Sequence, residues 1–315
     1  MQQPIFLQPI FQERIWGGTS LRDRFGYDIP SDHTGECWAI SAHPHGPSIV
    51  RDGLYKGIPL DLLWTQHPEL FGHFPGKTFP LLTKILDANT DLSVQVHPDD
   101  TFAYHHENSE RGKTECWYII DCKPGAELIY GHHAQNREEL QEKMERGEWD
   151  TLLQRLRIKP GDFFYVPSGT IHALGSGTLV LETQQSSDTT YRVYDYDRKD
   201  DSGNKRELHL DKALDVTTIP HYNDIPDRQI RHLGDGEWTT YVTSEYFTVH
   251  RWQVDGVLSI DQEQPFLLAS VLDGAGEIET FEGSFPFQKG DHLILPHELD
   301  TFRINGKTEW IVSHV

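Results

Sequence analysis

The 315-residue chain has little cysteine and no long apolar run. Its three cysteines, Cys37, Cys116 and Cys122, cannot form a closed disulfide framework. We therefore expect reduced thiols and a cytoplasmic protein. No segment approaches the roughly 20 apolar residues of a membrane span. The first residues also lack the basic and apolar regions of a signal peptide. The expected ligand is consequently something soluble.

Basic residues are scarce as well. The chain has 28 Lys and Arg against 49 Asp and Glu, a formal charge of −21. Such a surface repels phosphates, so we expect neither nucleic acid nor an anionic membrane as a partner. A phosphorylated ligand would need a local cluster of Lys and Arg. The 11% aromatic content indicates a folded rather than a disordered chain.

Short strand-like runs separated by turn residues dominate the sequence, which predicts a mainly β protein with a sandwich or barrel architecture. Clear examples are FPLLTKILDA (79–88), LSVQVHP (92–98), ECWYIID (115–121), DFFYVP (162–167) and TLVLET (178–183).

Two stretches predict inserted helices. Residues 58–72 place Pro59 at a first helical position and carry apolar residues at helical spacing. Residues 136–158 begin with a capping-box pattern at Asn136 and are divided by Gly147. The helices therefore interrupt a mostly β chain.

The chain predicts two barrels of one type. A charged, irregular stretch at about 199–236 is interpreted as a connection between a first domain, 1–235, and a second, 236–315. In the second domain, GDHLILPHELDTF (290–302) echoes GDFFYVPSGTIHALG (161–175), with Gly-Asp, a strand, and Pro six residues after the Gly. The second copy lacks the Gly and His that follow in the first. It is therefore predicted to be a metal-free barrel.

Four residues suggest a metal centre. Gln95 and His97 form an i, i+2 pair, so their side chains share one face of a strand. Glu115 opens another strand, and His172 follows a turn through Gly169. Two imidazoles, one carboxylate and one amide oxygen would give one zinc ion an N/O shell with room for water or substrate.

Each histidine could have a role other than metal ligation, because any one of the chain's 18 can be a surface or hydrogen-bonded residue. The other clustered histidines lack this strand-based placement. His43 and His45 are interpreted as loop residues or pocket lining, and the rest as loop residues: His105, His106, His132 and His133.

Several separated motifs of the sequence resemble those of a known protein family. The segment from Gly161 to His172 resembles the second cupin motif. Together with other motifs it is similar to the short bacterial form of type I mannose-6-phosphate isomerase, across residues 5 to about 200. These motifs, in family order, are WGG (16–18), TGECWAISAHP (34–44), VQVHPDD (94–100), GKTECWYI (112–119) and LETQQSSDTTYRVYDYDR (181–198).

The resemblance implies a cupin barrel and a zinc-dependent aldose–ketose isomerase acting on mannose 6-phosphate and fructose 6-phosphate. Gln95, His97, Glu115 and His172 match the family's zinc ligands position by position. The sequence departs from longer members in having only a few helices. It also has Arg198 where the family's phosphate contact is usually lysine.

Isomerisation through a cis-enediol needs a base, an acid and a group that stabilises the developing negative charge on oxygen. Lys113 lies two residues before Glu115 and could be the base if its pKa were depressed. Glu182 could equally be the base. Arg192 matches the family's active-site arginine and suits an electrostatic or acid-side role.

The phosphate needs a basic anchor. Arg198 is the candidate implied by the resemblance, and Lys84, in an otherwise apolar strand, is a second. A lysine there is costly unless paired or functional, although half-exposed strands carry lysines routinely. Arg192 and Arg198 could instead form a charged turn with Asp195 and Asp197.

Two other functions remain open. An iron-dependent cupin oxygenase also uses two His and one carboxylate, but Gln95 as a fourth ligand argues against it. A non-catalytic sugar-binding cupin would not require Lys113, Arg192 and Arg198 to converge on the metal. The sequence does not fix the oligomeric state, and a monomer is compatible with it.

Overall fold

The computed structural model describes residues 3–199 and 203–315 and shows the mainly β architecture that the sequence predicts. The strands are β1 Ile5–Gln8, β2 Ile10–Gly18, β3 Thr34–Ile40, β4 Ile49–Val50, β5 Leu81–Ala88, β6 Val94–Val96, β7 Glu115–Cys122, β8 Glu127–His132, β9 Leu153–Arg157, β10 Phe163–Val166, β11 His172–Leu174, β12 Thr178–Gln185, β13 Tyr191–Tyr194, β14 Gln229–Leu233, β15 Gly236–Thr243, β16 Thr248–Asp261, β17 Leu267–Thr280, β18 Gly283–Gln288, β19 His292–Leu295 and β20 Thr301–His314. The helices are α1 Ser20–Phe25, α2 Leu60–Gln66, α3 Asp100–His106, α4 Arg137–Arg146, α5 Trp149–Leu152 and α6 Leu210–Val216, with single 3₁₀ turns at Pro68–Phe71 and His297–Leu299.

The first barrel consists of two antiparallel sheets. One has the order β10-β7-β12-β5-β3-β2 and the other β13-β6-β11-β8-β9 among the described residues. Apolar side chains from both sheets meet in one buried cluster, in the manner of a jelly roll. Its members include Trp16, Leu86, Trp117, Ile119, Leu128, Tyr130, Val166, Leu174 and Val180.

Strand β7 shows how this barrel sorts its side chains. Trp117 and Ile119 belong to the cluster inside the barrel. Cys116 and Tyr118 alternate with them and pack in a different cluster on the outer face. Since side chains in a strand alternate between faces, Glu115 shares the interior face with Trp117. The first residue of the strand therefore places a carboxylate inside the barrel.

The second barrel is formed by one curled sheet of order β14-β15-β16-β20-β17-β19-β1-β4, with β18 paired to β17 in the described chain. Its interior is filled with apolar and aromatic side chains, among them Trp252, Phe302 and Trp310. Strands β1, β4 and β14 precede residue 236 but belong to this sheet. The predicted division at residues 235 and 236 therefore does not coincide with the border between sheets.

An extensive interface joins the two barrels. The outer face of β7 contributes Tyr118, whose hydroxyl donates to Glu309 Oε1 on β20 at 2.7 Å. Arg251 on β16 contacts the other oxygen of Glu309 at 3.1 Å. Phe163 and Tyr241 stack with ring centroids 4.6 Å apart. Polar and aromatic contacts thus fix the barrels against each other.

The predicted helices are confirmed in part. Residues 58–72 form α2 and a 3₁₀ turn, and Pro59 is the N-cap of α2 rather than its first residue. In the stretch 136–158, the Asn136 side chain caps α4 and Gly147 ends it in a left-handed conformation. The prediction was wrong at the end of this stretch, because β9 pairs there with β8. Pairing of β9 with a barrel strand overrides its local helical spacing.

The region 199–236 was also predicted incompletely. It contains helix α6 and the exposed edge strand β14, although the sequence suggested only an irregular connection. The three cysteines are unpaired, as expected. None of the helices in the described ranges has the length and apolar character needed to span a membrane.

Candidate metal centre and active site

The predicted ligand residues lie together inside the first barrel. One ligand atom each from His97, Glu115 and His172 lies within 4.8 Å of the others, and all three residues are buried. Each imidazole Nε2 is 3.4 Å from a different oxygen of Glu115. The Gln95 amide nitrogen lies 3.3 Å from His172 Nε2. The end of β6 and the first residues of β7 and β11 thus converge on one point.

Hydrogen bonds fix the orientation of both imidazoles. His97 Nδ1 lies 2.9 Å from the Thr189 carbonyl oxygen, and His172 Nδ1 lies 2.8 Å from that of Thr170. A carbonyl oxygen only accepts, so each neutral ring carries its proton on Nδ1. Both Nε2 lone pairs therefore face Glu115. This arrangement is typical of metal-ligating histidines.

The ionisation states also suit metal binding. Burial, followed by the nearby charge of Lys113, lowers the pKa of His97 to about 3. Burial likewise lowers the pKa of His172. Burial raises the pKa of Glu115, but Lys113 and the two histidines outweigh it and hold this pKa well below its usual range. The group therefore presents a carboxylate and two neutral imidazoles at neutral pH.

The donor set fits a divalent metal with nitrogen and oxygen ligands. Both oxygens of Glu115 are buried without a hydrogen bond, although Oε2 forms an ion pair with Lys113 at 2.9 Å. Buried polar atoms of native proteins nearly always have a partner. The Gln95 side chain can present its oxygen by rotating its amide group. Two nitrogens, a carboxylate and an amide oxygen match the shell expected for such a metal.

Lys113 lies directly beside this group. Its ammonium is 2.9 Å from Glu115 Oε2 and 3.2 Å from His97 Nε2. Burial lowers the pKa of Lys113, but Glu115 and Glu182 outweigh that effect and raise it above its usual value. The lysine is therefore a fixed positive charge, which opposes a role as base.

A row of paired side chains crosses the interior face next to the metal residues. On adjacent strands, Trp38 is opposite Lys84, Lys84 opposite Glu182, and Glu182 opposite Trp117. The Trp117 indole donates to Glu182 Oε2 at 3.1 Å. Burial and then the charge of Glu115 raise the pKa of Glu182 to about 7. Glu182 is thus suited to exchange a proton near neutral pH.

The two candidate arginines have different surroundings. Arg192 is opposite Gln95 in the β13–β6 pair. Its Nη1 donates to the Glu207 carbonyl at 2.8 Å, while its buried Nε has no hydrogen-bond partner. Arg192 therefore lies next to the strand that carries two ligand residues.

Arg198 lies in the charged turn that the sequence offered as an alternative. Its guanidinium pairs with Asp195, which also accepts from Arg206. Its Nη1 donates to the Asp91 carbonyl. Among the described residues, no hydrogen bond or ion pair joins Arg198 to the metal group or to Lys84.

Comparison with known proteins decides the family. The sequence-family model of the type I phosphomannose isomerase catalytic domain matches residues 5–118 of the chain. The family model of the mannose-6-phosphate isomerase cupin domain matches residues 237–315. The chain is 57% identical to the mannose-6-phosphate isomerase ManA of Bacillus subtilis, covering 99% of each chain. It is 54% identical to the mannose-6-phosphate isomerase of Streptococcus mutans, covering 100% of this chain and 99% of that one. A crystal structure of a Bacillus subtilis mannose 6-phosphate isomerase superposes with a TM-score of 0.98 at 54% identity, over the full length of both chains.

The chain belongs to the type I phosphomannose isomerase family. Membership confirms the cupin architecture and the resemblance carried by the sequence motifs. The catalytic-domain match contains three of the four predicted ligand residues, and His172 lies beyond it. The geometry is therefore what connects His172 with the other three.

Sequence reasoning missed one group of this phosphomannose isomerase fold. Glu36 and Trp38 lie in the motif at residues 34–44 and received no role from the sequence, yet the Trp38 indole donates to Glu36 Oε2 at 2.6 Å, inside the barrel. Arg14 binds the same carboxylate through Nε at 2.9 Å. The spacing of Glu36 and Trp38 was an available signal, since i and i+2 residues of a strand share a face. His43 packs edge-on against Trp38 at 5.5 Å, so it also lies near this row.

Proposed function

We propose that this protein is a zinc-dependent aldose–ketose isomerase that interconverts mannose 6-phosphate and fructose 6-phosphate. Relatives bearing the name mannose-6-phosphate isomerase match over the whole chain. The observation that carries the proposal is the buried cluster of His97, Glu115 and His172, with both Nε2 lone pairs facing the carboxylate. Beside it lie Lys84 and Glu182, which are opposite each other on adjacent strands.

Zinc, one ion per chain, would be held by Gln95, His97, Glu115 and His172. Nitrogen and oxygen donors without thiolate suit zinc with an open position for substrate. When bound, zinc supplies a Lewis acid that polarises a substrate oxygen. The neutral imidazoles and the ionised carboxylate provide the protonation states that such binding requires.

The reaction moves one proton between neighbouring carbons. Starting from open-chain mannose 6-phosphate, a base removes the proton from C2 while the carbonyl oxygen on C1 gains one, giving a cis-enediol. The base then returns its proton to C1 as the C2 hydroxyl loses one, which produces the ketose. We assign Glu182 as this base. Its Oε2 is held by the Trp117 indole, while Oε1 makes no hydrogen bond with the described residues and lies 3.9 Å from Lys84 Nζ.

Positive charges on the chain support the negative charge that develops on the substrate. Lys113 and Arg192 are assigned this electrostatic role because both flank the ligand residues. Lys84 is assigned to substrate binding, with its ammonium inside the barrel. Fixed charges in a buried site stabilise charge more effectively than they would in water.

Arg198 is proposed as a phosphate contact. To act in this way it would have to leave its ion pair with Asp195, 2.5 Å away. Arg198→Ala tests the assignment directly. An apparent KM for mannose 6-phosphate that rises about tenfold or more supports it, and an unchanged KM removes Arg198 from the phosphate site.

The decisive experiment is an isomerase assay with and without a chelator, combined with metal analysis. We expect fructose 6-phosphate to form from mannose 6-phosphate, chelation to abolish it, and added zinc to restore it. A fully metal-loaded protein that forms no product would leave the sugar-binding alternative. Bound iron with oxygen-dependent turnover would instead establish the oxygenase alternative.

A further inference from the structure

Lys84 lies midway between two carboxylates. Its Nζ is 3.9 Å from Glu36 Oε2 and 3.9 Å from Glu182 Oε1. Both distances exceed hydrogen-bond length. Within the described residues, the ammonium therefore donates no hydrogen bond to protein, although only 5% of the side chain is exposed. An ammonium on a largely buried side chain that makes no hydrogen bond with protein has its donors available to water or to a ligand.

Glu36 attracts Lys84 without closing on it because its oxygens are already engaged. Arg14 donates to both of them, at 2.9 and 3.2 Å. The Trp38 indole donates to Oε2 at 2.6 Å. Burial raises the pKa of Glu36, but Lys84 and Arg14 outweigh it and lower this pKa below its usual value. Glu36 is therefore a fixed negative charge.

The opposite side of Lys84 is organised in the same way. The Trp117 indole holds Glu182 from one side, and the Lys84 ammonium lies 4.9 Å from the Trp38 ring centre. The two carboxylates, on the strands at either side of β5, attract the ammonium in opposite directions, and Glu182 does so fully only when it is ionised. Removing one of them would let the ammonium move into a direct ion pair with the other.

We propose that Glu36, anchored by Arg14, is a positioning residue that keeps Lys84 from pairing with Glu182. Lys84 then stays available to the sugar phosphate, and Glu182 stays available for proton transfer. This inference rests on the proposed isomerase function and deepens it. Glu36 acts through Lys84 and need not touch the substrate itself.

The first test is Glu36→Gln, which removes the charge at almost constant shape. We expect KM for mannose 6-phosphate to rise about tenfold and kcat to fall about tenfold, because Lys84 moves onto Glu182 and both leave their working positions. Zinc content and thermal stability should stay near wild type. The matched control is Glu309→Gln, which breaks a similar Arg–Glu pair at the interface between the barrels. The control should change neither kinetic constant.

A double-mutant cycle separates positioning from a structural role. If Glu36 acts through Lys84, adding Glu36→Gln to Lys84→Met produces no further change in KM or kcat. Independent, multiplicative effects would overturn the inference. Wild-type constants in either single variant would also overturn it. If Glu36→Gln does not fold, Arg14→Met replaces it: releasing Glu36 to close on Lys84 should raise KM, and an unchanged KM counts against the proposal.

Failure of the inference can be distinguished from failure of the proposed function. If the wild-type protein forms no fructose 6-phosphate, the isomerase function itself is wrong. If the wild-type protein is active and Lys84→Met raises KM while Glu36→Gln changes nothing, only the positioning role of Glu36 is lost.

Discussion

The two barrels are built on the same turn but have different interiors. In the first barrel, Asp162 Oδ2 accepts the backbone N–H of Lys159 at 2.9 Å. In the second, Asp291 Oδ2 accepts the backbone N–H of Gln288, also at 2.9 Å. The glycine before each aspartate has a positive φ, 86° and 88°. The echo between residues 161–175 and 290–302 is therefore a structural repeat, and equivalent positions can be compared.

Equivalent strands carry different chemistry at the same positions. Counting from the shared turn, Glu115 corresponds to Leu267 and His172 to Thr301. The row Trp38, Lys84, Glu182, Trp117 of the first barrel corresponds to Thr240, His250, Val312, Ala269 of the second. At these positions the second barrel thus has apolar or neutral polar side chains where the first has ionised groups. Burying apolar groups stabilises a fold, whereas buried charges must be paired to be tolerated.

The largest expected difference concerns activity. His172→Ala removes one Nε2 donor from the metal group, so we expect loss of bound zinc and a fall in kcat/KM of at least about 10³-fold. The fold should persist, as judged by circular dichroism. Thr301→Ala, at the equivalent position of the second barrel, should retain both zinc and activity. Retained activity in His172→Ala would exclude it as a ligand.

The next prediction concerns stability. Trp310 is fully buried in the second barrel and is opposite Val271. Trp310→Ala should lower the free energy of unfolding by about 3–5 kcal/mol, because it leaves a large cavity. Activity per folded molecule should stay close to wild type, since the side chain is in the other barrel. Urea denaturation and an assay at low temperature would measure both effects. A small stability loss would show that the second barrel contributes little.

The second barrel also has a polar feature at its edge, a chain of hydrogen bonds through two buried histidines. The Trp238 indole donates to His250 Nδ1 at 3.0 Å. His250 Nε2 lies 3.2 Å from His314 Nε2, and His314 Nδ1 lies 3.0 Å from the Val315 main-chain oxygen. With both rings neutral, every proton in this chain has an acceptor. An additional proton on His250 Nδ1 would displace the indole N–H and would have only Thr240 Oγ1, 3.0 Å away, as an acceptor among the described residues.

The hydrogen bonds through these two histidines predict the smallest effect, a dependence of stability on pH. Burial, then His314 and Arg231, lower the pKa of His250 from 6.5 to about 3. A depressed folded-state pKa means that the unfolded chain binds more protons between these values. Stability is therefore complete above pH 6.5 and falls as the pH drops toward 3. Between pH 7 and pH 5, wild type should lose about 2 kcal/mol more than His250→Gln. Urea denaturation at pH 7 and at pH 5 measures the free energy of unfolding of both proteins. Equal losses in wild type and His250→Gln would contradict the prediction.

Much of the first barrel was predictable because its residue pattern is local. Short strand-like runs between turn residues predicted strands at β7 and β12, and i, i+2 spacing placed Gln95 and His97 on one face. The turn through Gly169 predicted that His172 opens a strand, as it does. Local patterns of this kind predict the structure correctly because the strands and turns that they favour are also those of the folded barrel.

The remainder depends on contacts that no local pattern encodes. The carbonyls of Thr189 and Thr170 orient the two ligand histidines, and backbone acceptors carry no sequence signature. The equal spacing of Lys84 between Glu36 and Glu182 arises from three adjacent strands that are far apart in sequence. β9 was misread as helix because its partner β8 lies more than 20 residues upstream. In each case the deciding interaction is long-range.

The first strand of the chain has a consequence for the order of folding. Ile5 of β1 is opposite Ile294 of β19, so β1 cannot complete its pairing until nearly the whole chain is available. At ~5–20 residues per second, roughly 15–60 s pass between the synthesis of β1 and that of its partner β19. During that time its edge is open to wrong partners. The second barrel is consequently expected to close only after synthesis, whereas every strand of the first barrel is available once Tyr194 has been made.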